Sequence, residues 1–156
     1  KKNKMLKYLL DLIFLSFVIL LLDLLWIGLI MKKHYYNLIK DIQGEDLEFK
    51  IIPAVFCYLV LIGGLYYFVV LGMKKKFDFL NILSLSIPFG LTVFGVFDFT
   101  SGSLLKKWDY VTIFSDILWG CFICTFSAIM VGLFRKFTGG EEEEQNVSIN
   151  ENVSNA

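Results

Sequence analysis

Three aspartates, Asp23, Asp98 and Asp116, stand in or at the edge of long apolar stretches, each with a tryptophan following it: Trp26, Trp108 and Trp119. Carboxylates in such surroundings hold protons, pass them on, or bind a cationic or hydrogen-bonding solute. Indole N–H, phenol and hydroxyl groups are the neutral donors that accompany them, and Tyr58 and Thr100 are placed to join the set. A carboxylate at membrane depth costs ~2.5 kcal/mol or more on insertion scales. No lysine or arginine lies within the apolar spans to neutralise these three. Each must therefore face the protein interior with neutral donors or water, or share a proton with another carboxyl.

Other chemistries are excluded by residue type. His34 is the only histidine, which rules out bis-histidine haem ligation within one chain and zinc motifs that need two histidines. Neither a P-loop nor a GxGxxG is present, and no residue qualifies as a metal ligand set or a catalytic group. Cys121 and Cys124 form a C-x-x-C that suggests a membrane thiol enzyme, but the pair lies ~15 Å into a helix, away from the N-terminus that would activate a thiol. Cys57 is in another apolar run and no loop cysteine could relay electrons. Lipid transfer on the aspartates lacks a DxxD spacing, and a retinal pigment lacks its lysine. No cofactor is expected, and an enzyme is the lesser alternative.

The elements that must position the aspartates are membrane spans. Hydrophobic residues make up 56% of the 156-residue chain and aromatics 17%, with a mean hydropathy of +0.65. A soluble domain of that length cannot bury so much apolar surface, so the first partner is the lipid bilayer. Charges balance to zero, which leaves no field to attract nucleic acid. Four spans are expected at about 8–31, 51–73, 79–97 and 110–134, forming an all-α integral membrane four-helix bundle over residues 1–137, antiparallel and up-down. The first is read as an uncleaved span, because its apolar run exceeds the ~7–15 residues of a signal peptide core. Residues 32–50 carry Tyr35, Leu38, Ile39 and Ile42 at helical spacing and are expected to form a short interfacial helix with His34 solvated. Residues 138–156, with four consecutive glutamates, are expected to be a disordered acidic tail.

Nine basic residues fall at the N-terminus, the turn after the second span and the C-terminal end, against six on the other side, which expects both termini in the cytoplasm. At ~1.5 Å per residue, Asp23 then lies ~12 Å and Asp116 ~9 Å below the non-cytoplasmic surface, with Asp98 at the rim. Asp23-Leu24-Leu25-Trp26 matches Asp116-Ile117-Leu118-Trp119 in an oppositely directed helix, the pattern that an inverted repeat leaves. Two small-residue stripes are also expected: Ser84, Pro88, Thr92 and Gly95 in the third span, and Gly120, Cys124, Ala128 and Gly132 in the fourth, the latter a close-packing face.

The chain resembles a known family on a defined set of residues. These are Asp23 and Trp26, Tyr35 or Tyr36, Pro53-Ala54, Phe97-Asp98-Phe99-Thr100 followed by Leu104 and Trp108, and Asp116 with Trp119-Gly120. Together they resemble the predicted four-span membrane proteins grouped as domain of unknown function 2177, over about residues 20–132. Phe97 stands where that family more often has tyrosine and Ser101 where it more often has asparagine. The resemblance implies a fold and a membrane address, and it implies no activity.

Three functions follow as expectations. The cluster binds or translocates a small solute or proton; or the aspartates are packing glue in a scaffold whose Gly120 stripe docks a membrane-protein partner or a second copy of the chain; or the protein is a membrane thiol or lipid enzyme.

Overall fold

The structure is a computed structural model that describes residues 2–74 and 77–138. The expected acidic tail lies beyond the described residues, apart from Thr138. Helix α1 (Lys2–Leu25) runs into a wider π-helical turn (Trp26–Ile30), α2 is Lys32–Gln43, and α3 (Ile51–Leu65) also runs into a π turn (Tyr66–Val70). Helices α4 (Phe79–Leu104) and α5 (Tyr110–Phe137) complete the order. Four stretches, Met5–Ile30, Ile51–Val70, Phe79–Leu104 and Tyr110–Phe137, are long and apolar enough to cross a membrane. The described residues contain no strand. The protein is an all-α integral membrane bundle, in which every span satisfies its own backbone groups and can turn apolar side chains such as Val60 and Leu80, each 74% exposed, out to lipid.

The helix ends follow local chemistry. Asp109 caps α5 by accepting from the Thr112 backbone N–H at 2.7 Å, and Asp78 caps α4 by accepting from Asn81 N–H at 3.1 Å. Pro53 sits in the first turn of α3, where its missing N–H has no intrahelical partner to lose. Gly44, with φ 77°, ends α2 in the left-handed region that a side chain disfavours. Helix α4 continues seven residues past the expected stop at Phe97, because nothing between Asp98 and Leu104 breaks it: Ser103 Oγ turns back onto the Phe99 carbonyl at 2.7 Å. Asp98 is thus a helical residue and not the start of a loop.

The seam between α4 and α5 is the closest in the bundle. A Cβ on Gly90 would lie 2.6 Å from the Gly120 carbonyl oxygen and 2.9 Å from Cys121 Cα, and a Cβ on Gly120 would strike the Phe94 ring. Ser86 Oγ and Thr125 Oγ1 hydrogen-bond across the same seam at 2.9 Å. Gly120, Cys124, Ala128 and Gly132 are all buried, with α4 filling Gly120 and Met73 and Phe77 lying against Gly132. The stripe is packed within the chain. On α4 the buried residues are Ile82, Ser86, Gly90, Gly95 and Asp98, all but Gly95 four or eight residues apart. Of the face expected from Ser84, Pro88, Thr92 and Gly95, Gly95 is buried, whereas Ser84, Pro88 and Thr92 are exposed, the two hydroxyls turned back onto the Asn81 and Pro88 carbonyls at 2.9 and 2.7 Å. Small size made both faces plausible, and the position of Gly120 selects the one bearing Gly90.

Candidate functional site

Asp23 from α1, Asp98 from α4 and Asp116 from α5 meet in one half of the bundle, 6%, 0% and 8% exposed. Asp116 is within Coulombic range of both others. Each acid receives one neutral donor: Trp119 Nε1 donates to Asp23 Oδ1 at 2.8 Å, Trp108 Nε1 to Asp98 Oδ1 at 3.2 Å, and the Tyr35 hydroxyl to Asp116 Oδ1. Tyr58 from α3 lies against Asp23. Among the described residues, no Lys or Arg is paired with any of the three.

The Asp-x-x-Trp repeat acquires a geometric meaning here. Asp and Trp at i and i+3 share a helix face, and α1 and α5 pass in opposite senses, with Asp11 meeting Arg135 and Asp23 meeting Trp119. Each tryptophan is thereby carried to the other helix's aspartate. The two indoles stack with centroids 4.5 Å apart and planes 4° from parallel. Only half of the exchange is completed. Trp119 reaches Asp23, whereas Trp26 Nε1 lies near Asp116 and Tyr35 but is buried without an acceptor at hydrogen-bonding geometry. Asp98 Oδ2 is likewise buried without a donor. A buried donor and a buried acceptor left open in one cluster are uncommon in proteins, since each unmade bond costs ~1–3 kcal/mol.

Helix α2 supplies the residues that the sequence reading did not place in the site. Tyr35 shares a face with the buried Leu38, three residues on, so the expected interfacial periodicity already aimed it inward. Burial, together with the hydrogen bond to Asp116, pushes the Tyr35 phenol well above its usual range, which keeps it a protonated donor. His34, expected to be solvated, is half-buried, and its Nε2 is 2.7 Å from Thr112 Oγ1 and 3.7 Å from Asp109 Oδ2. The Thr112 hydroxyl donates to Asp109 Oδ1 at 2.9 Å, which leaves its oxygen to accept from the His34 tautomer that carries hydrogen on Nε2. Partial burial raises the Asp109 carboxyl, but the Thr112 N–H and hydroxyl outweigh it and hold the group below the usual range.

Of the residues singled out from sequence, Asp23, Trp26, Tyr58, Asp98, Trp108, Asp116 and Trp119 come together. Thr100 does not: continued helix turns it some 200° from Asp98, and it is exposed. No group of three or more His, Cys, Asp or Glu side chains with metal-binding geometry occurs among the described residues.

A second polar contact at the other end of α1 also escaped the sequence reading. Asp11, 1% exposed, accepts from Arg135 Nε and Nη2, both at 2.8 Å, and Arg135 Nη1 donates to the Val70 carbonyl at 3.2 Å. That carbonyl ends the π turn of α3, where helix carbonyls lack partners and a cation is favoured.

Comparison with known proteins gives one match: the model of a family described as predicted membrane protein, DUF2177, covers residues 8–133. Among curated proteins and solved structures, none matches.

Proposed function

This chain belongs to the DUF2177 family of predicted membrane proteins, and from that premise we propose that it binds a proton or a small cationic solute at Asp23, Asp98 and Asp116 as a step in moving it across the membrane. With both termini in the cytoplasm, as the lysine and arginine distribution favours, the site lies in the non-cytoplasmic half of the bilayer.

One observation carries the reading: three buried carboxylates from three helices share a site whose donors are all neutral, with Asp98 Oδ2 still unpartnered. Three negative charges at such depth repel one another and are not solvated, so the cluster is neutralised by protons or by a cation. Sharing among neighbours is what lets such a group release and take up a proton without being dismantled. The scaffold alternative is weakened because the small-residue stripe is filled from within the chain.

All three tryptophans of the chain, Trp26, Trp108 and Trp119, belong to this cluster, so intrinsic fluorescence reports on it alone. The protein in lipid nanodiscs is expected to change its tryptophan emission on titration from about pH 4 to about pH 9, the range that buried carboxyls span, or on addition of tetramethylammonium or sodium. Asp116→Asn and Asp23→Asn should abolish the response while helicity and elution volume stay as in the parent. Unfolding of both variants would instead identify the acids as structural.

A further inference from the structure

The helix that closes the carboxylate cluster is not one of the four spans. Helix α2 has 12 residues, leaves the π turn of α1 at Met31, whose φ of −96° and ψ of 0° depart from helical values, and stops at Gly44. Beyond the turn that precedes it, α2 is joined to the bundle mainly by side chains. Leu38 is its one fully buried residue. Ile39 and Ile42 are partly buried, and the polar part of the hold is Tyr35 on Asp116 and His34 on Thr112 beside Asp109. Its far end is turned to water, where Lys40 and Asp46 pair at 2.8 Å while both are more than half exposed. Helices α4 and α5, by contrast, share a long seam with close backbone contact at Gly90 and Gly120.

We propose that α2 is a lid over the site, latched by Tyr35 and His34, and that the bound proton or cation reaches Asp116 from the aqueous phase when the latch opens. This rests on the reading of the three aspartates as a binding site and adds the route by which the site is reached. Three features support it. The phenol that occupies Asp116 comes from outside the spans, so lifting α2 bares that carboxylate without separating any two spans. Trp26 Nε1, unpartnered beside both Tyr35 and Asp116, is placed to take over the vacated oxygen. A 12-residue helix held by one fully buried apolar residue, the partly buried Ile39 and Ile42 and two polar contacts opens more readily than a span, and a minor state populated on the order of 1% suffices for exchange.

The test uses the full chain in nanodiscs, with acrylamide as an aqueous quencher of the three tryptophans and brominated lipid as a membrane quencher. Tyr35→Ala is expected to raise the acrylamide quenching constant about 2-fold or more, as a population shift of the lid requires, with quenching by brominated lipid unchanged. An increase in both would mean that the bundle itself had loosened, which overturns the proposal. A tether then reads the lid without relying on a deletion. In a background with Cys57, Cys121 and Cys124 replaced by alanine, His34→Cys and Thr112→Cys are joined by a short reducible bis-methanethiosulfonate. The tryptophan response to a pH jump should slow about 10-fold or more and recover with reductant, as expected if opening precedes binding. An unchanged rate in the tethered protein overturns the lid while leaving the site in place. Absence of any response in the untethered parent overturns the site itself, and the lid with it.

Discussion

At one end of α1, Asp11 receives two N–H groups of Arg135 at 2.8 Å, and the same guanidinium closes the end of α3 through the Val70 carbonyl. Twelve residues farther along, roughly 18 Å by helical rise, Asp23 receives one indole N–H and lies within Coulombic range of Asp116, which is in turn within range of Asp98. Both aspartates are almost fully buried on the inward stripe that also carries Leu15 and Ile19. The first is matched in charge, with its cation doubly engaged, and needs nothing further. The second belongs to a group whose charge is unmatched and whose donor and acceptor sets are both incomplete. Burial therefore does not by itself separate the proposed binding acids from a charge-paired one in this protein. The distinguishing feature is whether the chain itself completes the acid's charge and hydrogen bonds.

The largest effect expected from breaking this comparison is at its closed end. Arg135→Met leaves Asp11 buried without its cation and should lower stability by about 3 kcal/mol, the usual result of removing one partner of a buried pair. Pairing it with Asp11→Leu should recover most of that loss, because an apolar pair of similar volume needs no solvation. Thermal unfolding followed by circular dichroism in one detergent decides it. A double variant as unstable as Arg135→Met would mean that the guanidinium acts through Val70 rather than through Asp11.

Next comes the seam that holds Asp98 in place. Gly90→Ala puts a methyl group against the Gly120 backbone, which cannot step aside, and should cost about 2 kcal/mol. It should also displace Asp98 and Trp108 together, visible as a shift in tryptophan emission. Gly63→Ala, where nothing lies within 4 Å of the added carbon, is the control and should be neutral or slightly stabilising.

Much of the closed-versus-open contrast was hidden in the sequence for identifiable reasons. Asp23, Asp98 and Asp116 could be brought to one level because span lengths and a fixed rise per residue determine depth. The Asp-x-x-Trp pairs could be matched because i and i+3 share a face. Arg135 stands near the end of the last span, and its long side chain reaches back about one turn to Asp11, close to the antiparallel register that brings Trp119 to Asp23. His34 is legible only as a member of an amphipathic helix, and Tyr35 as that and as one of two adjacent tyrosines in the family resemblance. Whether such a helix lies away from the bundle or folds over it depends on the joint at Met31, which no periodicity encodes. Thr100 was misplaced because the polar run after Phe97 looked like a loop, and hydroxyls that bond back to their own helix made it a continuation.

A smaller effect is expected at Tyr35. Tyr35→Phe removes the donor to Asp116 and should cost about 1 kcal/mol. It also predicts a pH signature. The phenol is held above its ordinary value in the folded protein, so its contribution is complete below the unfolded-state value of ~10 and is lost as pH rises beyond it. The parent should lose stability on the alkaline side relative to Tyr35→Phe, and equal alkaline slopes in the two proteins would remove Tyr35 from the site.

The smallest effect separates the two ends most sharply, because it should differ in sign. Asp98→Asn keeps an acceptor for Trp108 Nε1, removes a negative charge from a group with no cation, and offers an amide N–H to the neighbouring carboxylate. Stability should be unchanged or higher by up to about 1 kcal/mol, since relieving like-charge repulsion offsets any strain of the exchange. Asp11→Asn, the same chemical change on an equally buried residue, should lower stability by about 2 kcal/mol, because Arg135 loses its counter-charge. Thermal unfolding of the two single variants side by side measures the difference directly. If Asp98→Asn were as damaging as Asp11→Asn, the cluster would be completed by the chain after all, and the acids of both sites would be doing the same structural work.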